Sequence, residues 1–125
     1  MNGLEERLKA LPKVDLHVHL DGSVKPETLR ELAGRDIGGL TEEQLRENMT
    51  VDAECGSLVD YLSKFSFVLP YLQTGESIER VAYETVEQAA EEGCLYIEVR
   101  FAPLLHTLRG LSADDAIRHT VNGLQ

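Results

Sequence analysis

The pattern that most constrains the fold is an alternation of apolar and polar residues over positions 14–21. The apolar members are Val14, Leu16, Val18 and Leu20, and the polar members are Asp15, His17, His19 and Asp21. Successive side chains of a β-strand point to opposite faces, so an alternation of period two predicts a strand. One face of that strand is expected to pack against helices, while the other carries two imidazoles flanked by two carboxylates.

His17 and His19 are candidate metal ligands, because residues at i and i+2 of a strand present both rings on one face. The same spacing also occurs on solvated strand faces without a ligand, and zinc sites need three or four protein ligands. The sequence context favours a metal. An Asp-Gly turn signal ends the strand and Pro26 can begin a helix, which places the histidines where parallel α/β proteins build their sites.

The rest of the chain alternates between helical and strand patterns. Helices are predicted at 26–34, after a capping box at 41–44, at 58–69, at 78–93 and after Ser112, with a second strand at 95–101. The order is strand, several helices, strand and helix. We therefore predict an α/β fold with a long helical insertion between two parallel strands.

Several segments resemble the adenosine deaminase family, whose members are zinc amidohydrolases on a TIM barrel. The segments are LPKVDLHVHLDGS (11–23), KPETL (25–29), LVDYLSKF (58–65) and YIEVRFAP (96–103). The first is similar to the opening motif of the family and the last to its second strand. Family members often carry Ser where Ala102 stands, so this position departs from the pattern.

The chain has 125 residues, whereas a TIM barrel needs about 250. The resemblance therefore implies that residues 1–125 are the N-terminal segment of one incomplete (β/α)8 domain. The exposed strand edges would need the remainder of the barrel, or oligomer contacts, to cover them.

The resemblance implies a function as well as a fold. His17 and His19 would hold one zinc ion, with the remaining ligands and every acid–base residue outside this segment. The complete enzyme would convert adenosine and deoxyadenosine to inosine and ammonia, and the segment alone would be inactive. Two alternatives remain: a deaminase of adenine or of a modified nucleotide, and a non-catalytic metal-binding module.

Two further groups bear on the substrate. In the family, the Asp of the His-x-His-Leu-Asp-Gly motif binds the nucleoside 5′-hydroxyl, so Asp21 is a predicted substrate contact together with His19; otherwise Asp21 shapes the Asp-Gly turn. Leu58, Tyr61, Leu62 and Phe65 follow helical spacing. Core packing is the default for such a stripe, and lining of the pocket mouth is what the resemblance implies.

Four other positions carry open interpretations. Asp15 is expected on the histidine face, where it would orient an imidazole or join a salt bridge. Glu98 and Arg100 share a strand face and predict an internal ion pair. His106 is placed near the rim of the site. His119 is expected on the surface.

Charge and composition restrict the partners. The formal net charge is −10, so a nucleic acid polymer is not expected to bind, whereas a neutral purine nucleoside is not repelled. No run is long enough for a membrane span. Cys55 and Cys94 stand in no metal-type spacing and the N-terminus lacks the pattern of a signal peptide, from which we expect a cytoplasmic protein.

Overall fold

Two parallel strands lie side by side in the computed structural model, which describes residues 3–51 and 53–125. β1 spans Lys13–His19 and β2 spans Cys94–Arg100. The sequence predicts strands at 14–20 and 95–101, and each observed strand begins and ends one residue earlier. The pairing continues past β1, where the Leu20 amide donates to the Arg100 carbonyl at 2.9 Å. The predicted α/β fold with a parallel strand pair is confirmed.

The described residues form six α-helices in addition to the two strands. One precedes β1, four lie between β1 and β2, and one follows β2. Their bounds are α1 Gly3–Ala10, α2 Pro26–Ala33, α3 Glu42–Met49, α4 Leu58–Val68, α5 Gly75–Glu91 and α6 Ala113–Leu124. Short 3-10 turns follow α2, α4 and β2 at Gly34–Ile37, Leu69–Tyr71 and Pro103–His106.

The helix starts follow from local side-chain chemistry. Thr41 accepts a hydrogen bond from the Gln44 amide and the Gln44 side chain accepts one from the Thr41 amide, which is the predicted capping box. Thr74 and Ser77 form a second such box at the start of α5. Ser112 caps α6 through the Asp115 amide, as the sequence predicts.

The hydrophobic core lies between the helices and one face of the sheet. Its members include Leu20, Leu29, Leu45, Leu72, Ile78 and Val81. Polar contacts tie α2 to α5 beside it: Thr28 donates to Glu84 at 2.6 Å, and Arg80 pairs with Glu31 at 2.8 Å and with Glu84 at 3.1 Å. These hydrogen bonds, first to Glu31 and then to Glu84, raise the pKa of the Arg80 guanidinium.

A β-bulge interrupts β1 between Asp15 and Val18, in the stretch that contains His17. Asp15 lies opposite Ile97 and Val18 lies opposite Val99, so three steps along β1 match two along β2. One extra residue reverses the alternation of the side chains on either side of it. Asp15 therefore lies on the face of Val18 and Ile97, and it lines a cleft with both. The prediction that Asp15 shares the histidine face is wrong.

The same bulge changes the expected apolar face of β1. Leu20 is fully buried and Val18 is half-buried, as predicted for residues that pack against helices. Val14 and Leu16, however, are 63% and 57% exposed. Val14 pairs with Tyr96 and so lies on the sheet face away from Ile97. The prediction that Val14 and Leu16 pack against helices is therefore wrong. The alternation of apolar and polar residues in the sequence does not reveal the extra residue that the bulge inserts into β1.

None of the helices described for residues 3–51 and 53–125 combines the length and the apolar character needed to cross a membrane.

Candidate metal and purine site

The second half of β1 brings two imidazoles together. The Nε2 atoms of His17 and His19 lie 3.1 Å apart, and the ring centroids are 4.9 Å apart at an interplanar angle of 44°. Both residues are exposed, on the face opposite to Val18. His19 follows Val18 in regular alternation, whereas His17 lies in the bulged stretch, and the two rings converge on this face.

The two nitrogens fit one metal ion of the zinc type. Zn–N bonds of about 2.0–2.1 Å at a tetrahedral angle separate two ligand nitrogens by about 3.3 Å, close to the observed separation. Neutral imidazole is a preferred zinc ligand. The described residues contain no group of three His, Cys, Asp or Glu side chains that could hold a metal. His17 and His19 thus supply two ligands at most.

The turn after β1 positions Asp21 beside this pair. The Ser23 hydroxyl donates to the His19 carbonyl at 2.7 Å, and the Ser23 amide donates to the Leu20 carbonyl at 3.1 Å. These bonds hold a tight turn directly at the end of the strand. Asp21 is half-buried, and its carboxylate can accept hydrogen bonds from a ligand next to His19.

Two cavities meet at Asp21 and Phe65. One, of about 210 Å³, is lined by Asp21, Phe65, Tyr61 and Lys64 together with Gly22, Val24, Met49, Val51 and Val68. The other, of about 550 Å³, is lined by His19, Asp21, Leu62, Phe65, Ser66, Leu69, Arg100, Phe101, Ala102 and Leu105. The second is bordered mostly by apolar side chains with His19 and Asp21 at one end, which suits a flat heteroaromatic ligand.

Helix α4 forms a wall of both cavities and contributes little to the core. Leu58 is 70% exposed, Tyr61 and Leu62 are exposed, and Phe65 is half-buried. The prediction that this stripe packs in the core is therefore wrong for Leu58, Tyr61 and Leu62. Tyr61, Leu62 and Phe65 border the cavities, whereas Leu58 borders neither. The Phe65 ring meets the His19 ring edge-on at a centroid distance of 5.7 Å.

The predicted ion pair between Glu98 and Arg100 is not formed. Glu98 instead accepts a hydrogen bond from the Tyr96 hydroxyl at 2.8 Å, and Arg100 donates to the Leu16 carbonyl at 3.1 Å. The hydrogen bond to Glu98, reinforced by its charge, raises the pKa of the Tyr96 phenol. Tyr96 was not among the predicted site residues, although its spacing of two from Glu98 is the signal for a shared face.

The two remaining histidines have structural partners. His106 is fully buried, with Nδ1 2.7 Å from the Leu72 carbonyl oxygen and its ring edge-on to Phe101 at 5.5 Å. It lies in the core, not at the rim. His119 is half-buried, and its Nδ1 lies 2.8 Å from Glu79 Oε2. Its predicted surface position is thus only partly right, because the ring packs between α5 and α6.

Comparisons with known proteins agree on one family. A family model described as adenosine deaminase matches residues 12–125. A curated adenosine deaminase of Enterococcus faecalis is 44% identical over 123 residues, which are 97% of this chain and 36% of that protein. A curated adenosine deaminase of Vibrio atlanticus is 47% identical over 118 residues, or 93% of this chain and 36% of that protein.

Solved structures of related enzymes share the fold. A zinc-bound amidohydrolase from Burkholderia ambifaria superposes with a TM-score of 0.81 at 25% identity, covering 98% of this chain and 34% of that one. An adenine deaminase from Arthrobacter aurescens superposes with a TM-score of 0.75 at 28% identity. The match covers 92% of this chain and 35% of that one. An N6-mAMP deaminase from Arabidopsis superposes with a TM-score of 0.67 at 28% identity. The match covers 95% of this chain and 36% of that one. The chain thus spans about a third of the length of its relatives.

Proposed function

The chain belongs to the adenosine deaminase family, and from that membership we propose that residues 1–125 form part of a zinc-dependent hydrolase that converts adenosine and deoxyadenosine to inosine and ammonia. The observation that carries the proposal is the 3.1 Å separation of the His17 and His19 Nε2 atoms. A pair of converging neutral nitrogens at the end of a parallel strand suits a catalytic zinc site.

His17 and His19 are proposed to hold the metal, with further ligands from outside this segment. Zinc held by this pair would supply the chemistry of an activated water nucleophile at neutral pH. The bonds of Ser23 to the His19 and Leu20 carbonyls keep the strand end in place. The Phe65 ring packs edge-on against the His19 ring. These contacts help to orient His19 before the metal binds.

Asp21 is proposed to bind the nucleoside 5′-hydroxyl, with His19 beside the purine. Asp21 and His19 border the same apolar cavity, and Leu62, Phe65 and Leu105 line its walls. These apolar side chains would pack against the purine, and the Asp21 carboxylate would accept the hydrogen bond from the ribose. In this proposal Asp21 determines the preference for a ribosyl substrate, and Leu58 has no direct role.

Two structural relatives are named as deaminases of adenine and of the nucleotide N6-mAMP. These two substrates are less well supported for the present chain. The cavity linings contain two cationic side chains, Lys64 and Arg100. Lys64 donates to the Glu47 carbonyl at 2.6 Å and Arg100 to the Leu16 carbonyl. Because both cations already bind carbonyls, a phosphate would have to compete for them. We therefore favour a nucleoside over a nucleotide, and Asp21 favours a nucleoside over the free base.

The segment by itself is proposed to be inactive. The histidine pair supplies two ligands, and no general acid or base for the reaction is assigned to residues 1–125. Without these groups the attacking water is not positioned and the departing ammonia is not protonated. The remaining part of the domain would also cover exposed side chains on β1 and β2, such as Val14, Leu16 and Leu95. The free cysteines Cys55 and Cys94 suit a cytoplasmic location.

The test compares the segment with the full-length protein that carries it. The full-length protein should bind about one zinc per chain and should turn adenosine into inosine, followed by the loss of absorbance that accompanies deamination. The segment alone should show no turnover with or without added zinc. A full-length protein that retains zinc but leaves adenosine, deoxyadenosine and adenine unchanged would favour the non-catalytic module instead.

A further inference from the structure

Backbone conformation does not require glycine at position 22, the residue that follows Asp21. The glycines with positive φ in the described residues are Gly34, Gly93 and Gly110. Gly22 is not among them, so its φ is one that L-residues adopt without strain. Any cost of a side chain at position 22 must therefore come from the space around its Cα.

That space is taken by the ring of Phe65. A Cβ built on Gly22 would lie 3.0 Å from Phe65 Cε1 and 3.5 Å from Cζ, and it would also lie 3.6 Å from the His19 Cβ. The first distance is tighter than ordinary van der Waals contact, so the ring would have to move by a few tenths of an ångström. The missing side chain thus forms a seat for the Phe65 ring.

Phe65 in this seat separates the two cavities. It lines both of them, as does Asp21, and its ring contacts His19 on one side and Tyr61, at a centroid distance of 5.6 Å, on the other. A displaced ring would change the wall of the cavity that holds His19 and would open a path towards the cavity lined by Lys64. The seat therefore controls the shape of the proposed purine pocket.

We propose that Gly22 is a positioning residue, which seats the Phe65 ring against His19 and so sets the shape of the proposed purine pocket. The inference rests on the proposed deaminase function for its consequence in catalysis, whereas the seating itself is a packing relationship. Gly22 contacts no substrate in this proposal and acts only through Phe65.

The test uses the full-length protein with Gly22→Ala, Phe65→Leu and the double variant, and Gly39→Ala as a control. Gly39 also lacks positive φ, and nothing lies within 4 Å of its Cβ position. Gly22→Ala should raise the KM for adenosine about tenfold with a smaller change in kcat, because a shifted wall loses binding contacts. Zinc content should be unchanged, and Gly39→Ala should match the wild type.

Leucine at position 65 lacks the atoms that meet the added Cβ, so Gly22→Ala should have no further effect in the Phe65→Leu background. Independent, additive effects of the two substitutions would overturn the proposal. If Gly22→Ala does not fold, the double variant should fold; failure of both to fold would show that Gly22 serves another role and would equally overturn it.

A second measurement does not depend on activity. With 4-fluorophenylalanine placed at position 65, Gly22→Ala should shift the fluorine resonance and Gly39→Ala should not. An unshifted resonance in Gly22→Ala would contradict the seating of the ring. If the wild-type protein does not deaminate adenosine, the proposed function fails, while the fluorine resonance still decides whether Gly22 seats Phe65.

Discussion

Gly123 of α6 packs directly against the main chain of Glu79 in α5. A Cβ at position 123 would overlap the Glu79 carbonyl oxygen and would lie 2.7 Å from the Ala82 Cβ. A turn away along the same interface, the His119 ring fills the space above Gly75 and its Nδ1 lies 2.8 Å from Glu79 Oε2. Gly123 lets the main chains of α5 and α6 approach closely, and Gly75 leaves room for the His119 ring.

We expect Gly123→Ala to destabilise the protein by about 1–3 kcal/mol, the usual cost of overpacking. In a helix with open space, the same substitution would stabilise by about 1 kcal/mol because alanine has the higher helix propensity. The sign of the change in the free energy of unfolding therefore shows whether a side chain at position 123 is too close to α5. Urea unfolding of the wild type and of the variant measures it, with Gly39→Ala as a control whose Cβ meets nothing within 4 Å. A stabilised Gly123→Ala variant would contradict the packing.

His17→Ala should remove zinc from the full-length protein and abolish the turnover of adenosine, because one of two converging nitrogens is lost. His119→Ala is the matched control, since His119 contacts Glu79 and lies outside the site. Metal analysis and activity assays on both variants decide the assignment. Full zinc content in His17→Ala would exclude His17 as a ligand.

Asp21→Ala should weaken the use of adenosine far more than it weakens zinc binding. If Asp21 accepts a hydrogen bond from the 5′-hydroxyl, its loss makes adenosine and 5′-deoxyadenosine more alike as substrates. The measurement is kcat/KM for the two nucleosides together with the metal content. A variant that keeps the wild-type preference for the 5′-hydroxyl would identify Asp21 as a turn residue.

Glu98→Gln should lower the pKa of Tyr96 towards the ordinary value of a tyrosine. The carboxylate accepts the phenolic hydrogen bond and opposes ionisation of the phenol, and it is the first cause of the raised pKa. A pKa raised by folding stabilises the folded chain at neutral pH, and this contribution is lost as the pH rises through the folded pKa.

The Tyr96 titration is measured from phenolate absorbance in the chain described here, as the difference between protein with Tyr96 and protein with Tyr96→Phe. The onset of ionisation should move to lower pH in Glu98→Gln. Equal titration of Tyr96 in the presence and absence of the Glu98 carboxylate would contradict the hydrogen bond.

Local patterns predicted much of the site and most of the elements. The His-x-His alternation predicts a strand with both rings on one face, and the rings do converge. The Thr41 and Ser112 caps mark helix starts that the structure confirms. Such predictions succeed because strand periodicity and capping depend on neighbours within a few residues.

Predictions that depended on distant partners were less successful. Asp15 and Leu16 differ from the pattern because the bulge in β1 is defined only by its pairing with β2, about eighty residues later. Glu98 and Arg100 share a face, yet each found another partner. His106 lies in the core because the Leu72 carbonyl and the Phe101 ring surround it.

The sequence by itself determined the strand with its two histidines, the order of helices and strands, and membership of the adenosine deaminase family. Only the tertiary structure decided which residues line the cavities, that Phe65 lies over Gly22 and His19, and that Tyr61, Leu62 and Phe65 of α4 border the cavities. Periodicity specifies which residues share a face of one element. What that face meets depends on contacts between elements far apart in the chain.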